Sequence, residues 1–213
     1  GLERIRFTSP HPRHVTERLI NAVNGLPKVC KHLHLPVQSG STRILGQMRR
    51  RHTREHYLSL INKIRNGVPD ITISTDIIVG FPGETEKDFQ ETLALIEEVR
   101  FSNIFSFKYS ERPNTLAAQR IPDSTPENVK SQRLTTLQGF QKNIQLKLNR
   151  TMIGQTHEIL LEGRSRRRSH EQTGRTQGNT IVNFSGPIRD PGTLVNVQIE
   201  KASANSIWGK TVT

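Results

Sequence analysis

Gln38, Ser39 and Ser41 fall in the run Leu35-Pro36-Val37-Gln38-Ser39-Gly40-Ser41, where an apolar stretch gives way to short polar side chains. An amide and two hydroxyls at such a place can hydrogen-bond the hydroxyls, carboxylate or amide of a small molecule. They can equally cap a helix and close a turn. Farther along, Asp76 interrupts an apolar stretch that ends in Gly80-Phe81-Pro82-Gly83. A carboxylate on a buried strand needs a donor. A ligand hydroxyl or amine would serve, and so would one of Arg49, Arg50 and Arg51. The two glycines let the backbone approach a ligand closely, or simply form a tight turn. The arginine run could grip a carboxylate or phosphate in bidentate fashion, or lie solvated at a helix end.

Other chemistry is limited by residue supply. Cys30 is the single cysteine, so the chain cannot form an internal disulfide or ligate an iron–sulfur cluster by itself. A reducing, cytoplasmic compartment is the simpler expectation. His32 and His34 alternate, but no carboxylate cluster joins them in sequence, and zinc is not expected. No Ser–His–Asp spacing is evident. Net charge is +12 and the pI about 10.5, which points to a polyanionic partner, nucleic acid first; a merely soluble cationic surface is the bland alternative. The basic run Arg164, Arg166, Arg167 and Arg168 can meet RNA phosphates without reading sequence. Trp208 is a candidate to stack on a base, whereas Phe184 reads as core. No apolar run is long enough to span a membrane.

These residues need strands to carry them. Residues 4–8, 31–37, 71–79 and 103–109 read as strands. Helical spacing covers 15–24, a short stretch after Thr42, 53–66, a segment opening at Glu84 and 126–150. Alternation of this kind predicts a parallel sheet, either doubly wound or a partial barrel, with ligands at the carboxyl ends of its strands. The last helix is expected to pack across a flank and lead into something new. After Arg150 five short alternating runs, at 157–161, 172–176, 180–184, 194–199 and 206–212, predict a small antiparallel OB-like barrel. The chain is thus read as α/β followed by all-β, with domains at 1–150 and 151–213. A strand so close to the first residue suggests that the chain begins inside a fold, and bare sheet edges predict instability or association.

The segments Arg4–Pro12, His34–Ser41, Asp76–Thr85, Phe107–Thr115, Gly174-Arg175-Thr176 and Val182-Asn183-Phe184 occur in this order. In that combination the chain resembles the radical S-adenosylmethionine methylthiotransferases, in particular the MiaB type that acts on tRNA. The resemblance implies the second half of a radical SAM partial (β/α) barrel, followed by a TRAM domain. It implies S-adenosyl-L-methionine as cofactor, with two [4Fe-4S] clusters whose cysteines lie outside this chain. Gln38 and Ser39 would approach the ribose and amino-acid portion of that cofactor. Asp76, Ile78 and Gly80 would line its adenine and ribose, and Arg50 would take its carboxylate. The TRAM domain would grip the anticodon stem-loop of tRNA, through the loop around Arg166 and with help from Arg175. The parent would draw on an external electron donor and a sulfur source. It would convert N6-isopentenyladenosine at position 37 to the 2-methylthio derivative, while this chain, without cluster cysteines, would be inactive. Sibling branches act on threonylcarbamoyl-adenosine in tRNA or on a ribosomal-protein aspartate. A non-catalytic RNA-binding module is the reading from another class.

Overall fold

The computed structural model describes residues 1–7, 11–111, 122, 125–165, 168 and 170–212. Three parallel strands lie in the order β1 (His32–His34), β2 (Thr72–Val79), β3 (Asn103–Lys108). Their register pairs His34 with Ser74 and Asp76 with Phe105. The two-residue period of a strand then sorts the side chains. Leu33, Ile73, Thr75, Ile77 and Val79 are buried on one face. They share a core with α1 (Glu17–Gly25), α3 (Arg54–Gly67), α4 (Glu86–Val99) and α5 (Glu127–Arg150). His32, His34, Ser74, Asp76, Asn103 and Phe105 take the opposite face, where Phe105 and Phe107 are half exposed. A doubly wound sheet carries helices on both faces. Among the described residues helices cover one face alone, as in a section of a (β/α) barrel.

The strand boundaries differ from the sequence reading. The stretch expected as a first strand contributes one bridge, Ile5 to Val29. The side chains flanking it, Arg4 and Arg6, reach for the C-terminal barrel instead. The strand expected at 31–37 is a three-residue ladder followed by an isolated bridge, Gln38 to Ile77. Pro36 has no N–H to donate and interrupts it. The long helix behaves as its apolar spacing predicts at Leu137 and Ile144, but its buried face also holds Lys130, Arg133, Gln141 and Asn149. Gln141 spends its amide on the Phe101 carbonyl at 2.8 Å.

Strands β4 (Thr156–Arg164), β5 (Gln172–Arg175), β6 (Ile181–Ser185), β7 (Leu194–Ala202) and β8 (Ile207–Thr211) close into a barrel in the order β4-β5-β6-β8-β7. Ile159, Leu161, Val182, Phe184, Val197, Ile199 and Ile207 fill it. The barrel is not wholly antiparallel, because β6 and β8 run parallel. Five strands in a closed ring cannot all alternate in direction, so one seam must be parallel. The barrel is tied to the sheet by polar contacts. Arg4 donates to the carbonyls of Arg175 and Glu158 at 2.5 and 2.7 Å. Thr72 donates to Gly178 O at 2.7 Å, and Asn149 to Ser203 O at 2.7 Å.

Candidate functional site

Gln38 and Asp76 meet at one strand tip. The Gln38 N–H donates to Asp76 O, and its carbonyl accepts from Ile78 N–H, both at 2.9 Å. Gln38 also sits at φ 79, a left-handed conformation that strains a residue with a Cβ and is concentrated at functional sites. Its side-chain amide has no protein partner among the described residues. Asp76 is part-exposed and places one carboxylate oxygen 3.2 Å from His34 Nε2. Arg50 alone of the arginine run turns inward, since Arg49 and Arg51 are exposed. Burial pushes the Arg50 guanidinium down, and the nearby Asp76 carboxylate pulls it back up. His11 belongs to the same neighbourhood: burial and Arg50 both lower it, and its ring lies 5.8 Å from that of His52. No carboxylate cluster joins the two strand histidines among the described residues, but one carboxylate, Asp76, reaches His34. The parallel register brings His34 beside Ser74, one pleat from Asp76. The legible signal was the period-two polar pattern Thr72, Ser74, Asp76 facing His32 and His34.

The turns that carry these residues are braced from behind. Gly40 packs so tightly on α4 that a Cβ there would lie 2.4 Å from Thr92 Cα. Ser39 is consequently fully buried, with its hydroxyl accepting from Ser41 N–H at 3.2 Å and facing Thr92 Oγ1. Its side chain serves the turn. Ser41 occupies the N-cap position of α2 (Thr42–Gln47) without capping it, and donates to Asp88 Oδ1 at 2.6 Å. Burial alone would raise the Asp88 carboxyl. Hydrogen bonds from Arg43, Ser41 and Thr85 outweigh it and hold the group well below the usual range. Gly80 has φ 70, and a Cβ there would lie 2.5 Å from Lys130 Cγ. Its N–H donates to Glu84 Oε2 at 2.6 Å, and Arg133 of α5 donates to the same oxygen at 2.8 Å. Both side chains of that ion pair are buried.

On the C-terminal barrel, Trp208 pairs across the sheet with Asn183 and Lys201. Together with Arg168 these residues line a cavity of about 370 Å³. Arg168 also donates to Glu171 at 2.8 Å. Arg164 is the last residue of β4 and is exposed, rather than lying in the following loop. Arg166 and Arg167 lie outside the described residues. Arg175 lines a different cavity, of about 580 Å³, between the open face of the sheet and the barrel. Its guanidinium is committed to Glu162 at 2.9 Å and to Asn179 Oδ1 at 3.1 Å. The structure thus brings Arg168 and Trp208 together and keeps Arg175 apart from them.

The Radical SAM superfamily model matches residues 1–96, and the TRAM domain model matches residues 150–212. The chain is 48% identical over its whole length to a tRNA-2-methylthio-N(6)-dimethylallyladenosine synthase of Thermoanaerobacter pseudethanolicus, 45% of which it covers. The bacterial enzymes of the same name from Acetivibrio thermocellus and Bordetella avium are 48% and 47% identical. They match 100% and 99% of this chain over 44% of their own length. The N-terminal part is therefore similar to the radical SAM superfamily and the C-terminal part to the TRAM domain. The chain's resemblance to the methylthiotransferases holds from end to end, and it spans a little under half the length of these relatives. Coproporphyrinogen III oxidase (HemN) from Escherichia coli, a radical SAM enzyme, shares the fold. It matches with a TM-score of 0.54 and 15% identity, over 96% of this chain and 51% of its own.

Radical SAM proteins imply S-adenosylmethionine and an iron–sulfur cluster, and the two fit this chain differently. A [4Fe-4S] cluster takes several thiolates. The chain offers one, Cys30, buried behind Arg6. Among the described residues no group of three potential ligands is placed to hold a metal ion. The cluster does not fit. The sulfonium nucleoside does: among the described residues the second oxygen of Asp76 and the amide of Gln38 have no protein partner, and Arg50 supplies a nearby cation. Among the described residues no helix is long and apolar enough to cross a membrane.

Proposed function

We propose that this chain is the C-terminal part of a tRNA methylthiotransferase, with the barrel section at 1–150 and the TRAM domain at 151–213. The parent would install a 2-methylthio group on N6-isopentenyladenosine at position 37. The observation that carries this reading is 48% identity across the entire chain to synthases of that name. Two [4Fe-4S] clusters, an electron donor and a sulfur source belong to the parent. In this chain Gln38, Arg50, Asp76, Ile78 and the Gly80 turn face the S-adenosylmethionine, while Ser39 shapes the turn that presents Gln38. The sulfonium nucleoside would supply a carbon radical in the parent. The residues here bind and orient it through its hydroxyls and carboxylate.

Alone, the chain acts as an RNA-binding module in the cytoplasm, held to the anticodon stem-loop by Trp208, Arg164, Arg168 and the adjoining basic residues. It does not catalyse the transfer, because it has one cysteine. Binding of an anticodon stem-loop, titrated with salt, tests the RNA component. We expect affinity to fall steeply with salt, because phosphate contacts release counterions. Trp208→Ala should weaken binding about tenfold, since stacking on one base is worth about 1–3 kcal/mol. Salt-independent binding, or an unaffected Trp208→Ala variant, would count against it. Stoichiometric iron and methylthiolation by the purified chain would refute the predicted inactivity.

A further inference from the structure

On the open face of the sheet four side chains form one hydrogen-bonded line. Asp76 Oδ1 lies 3.2 Å from His34 Nε2. His34 Nδ1 lies 2.9 Å from Ser74 Oγ, and Ser74 Oγ lies 3.0 Å from His32 Nε2. Ser74 and His32 are buried. The far nitrogen of His32, Nδ1, is buried without a partner among the described residues. His34 is further fixed by the edge of Phe105, ring to ring at 5.6 Å.

Proton counting orders this line. Ser74 owns one proton and lies between two imidazoles, so it donates to one and accepts from the other. The carboxylate only accepts, so His34 Nε2 carries the proton shared with Asp76. A neutral His34 then has a bare Nδ1, which takes the Ser74 O–H. Ser74 in turn accepts from His32 Nε2–H. This leaves His32 Nδ1 bare, in agreement with its lack of any acceptor nearby. Burial first, and then the cations Arg6 and Arg175, favour a neutral His32 and push it down to about 4. Asp76 in turn pulls the Arg50 guanidinium up against its burial.

We propose that His34 is the positioning residue of Asp76: His32 and Ser74 fix it as the Nε2–H tautomer, and its one ring proton orients the carboxylate so that the free oxygen faces a nucleoside hydroxyl. The last clause rests on the cofactor reading above. The first stands without it. Carboxylate–imidazole pairs act in this way when a third group fixes the tautomer.

Long-range proton–nitrogen correlation spectra of the 15N-labelled chain at pH 7.5 test the first part. His32 and His34 should both show the Nε2–H tautomer, and Ser74→Ala should turn His34 into a mixture. A wild-type His34 that is Nδ1–H, or protonated on both nitrogens, overturns the proposal. Calorimetric titration with S-adenosylmethionine tests the second part. His34→Ala should lose about tenfold in affinity, the worth of one good charge-assisted hydrogen bond. His34→Gln, which keeps an N–H within reach of the carboxylate, should recover most of it. Unchanged affinity in His34→Ala overturns the positioning role. A wild-type chain with the expected tautomers and no affinity for S-adenosylmethionine would instead retire the cofactor reading and leave the orientation of Asp76 standing.

Discussion

His32 lies on the open sheet face and His52 beside Tyr57, yet burial, aided by nearby cations and histidines, pushes both down to about 4 from 6.5. A base with a depressed folded value stays neutral in the fold, while the unfolded chain takes up a proton below 6.5. The unfolded state therefore binds more protons between pH 6.5 and 4. The stability these imidazoles contribute is complete above 6.5 and lost as pH falls through that window. Glu84 works in the opposite direction, because burial raises its carboxyl. The variants rather than the bare pH curve isolate the histidines: urea midpoints at pH 7.5 and 5 should converge in His32→Gln/His52→Gln. A double variant as pH-sensitive as the parent would refute this. At this scale the sequence exposed Gln38 and Asp76 as polar groups on strand tips. It left Ser39 open between ligand and turn. The close approach of Gly40 to Thr92 decides for the turn, and no local pattern encodes a contact made 52 residues away.

The element that matters most is α5. It brings Arg133 onto Glu84, and through Glu84 onto the Gly80 turn that ends β2. It also carries Asn149 to the carbonyls of Ser203 and Ala204 in the C-terminal barrel. One helix therefore props the site from behind and sets the barrel in place. Removing one partner of a buried ion pair strands the other charge, which costs about 3–5 kcal/mol. Arg133→Met should lower unfolding free energy by that order in urea titrations. Arg133→Met/Glu84→Gln should recover a large part of the loss, since no buried charge is left unpaired. A double variant no more stable than Arg133→Met would show that the pair is not the source of the cost. The helical spacing of Leu137 and Ile144 was legible. The polar half of the buried face was not, because its partners Glu84, Phe101 and Ser203 come from three distant segments.

For the whole molecule, β3 is an edge strand of the sheet among the described residues. Phe105 is 51% and Phe107 53% exposed on a strand with a single neighbour in the sheet. Unpaired N–H and C=O groups beside apolar side chains favour edge-to-edge pairing. The chain should associate as concentration rises, and Phe105→Lys/Phe107→Lys should shift it toward monomer in size-exclusion chromatography with light scattering. A wild-type chain that stays monodisperse and monomeric would sink this expectation. The same open face borders the cavity in which Arg175 is held, so a residue chosen by sequence for RNA lies at the joint between sheet and barrel.

Local pattern alone determined the alternation of strands and helices, the change to short strands after Arg150, the apolar core and the strongly basic charge. The ordered motifs were enough to place the family. These properties are set by side-chain periodicity and by short segments that fold against their neighbours. Only the tertiary structure decided which face of the sheet is open, that Asp76 pairs with His34 rather than with an arginine, that one barrel seam is parallel, and that Trp208 and Arg168 share a cavity while Arg175 does not. Each of these depends on register between segments far apart in the chain. Period-two patterning fixes which side chains share a face, but not which strand supplies the neighbour.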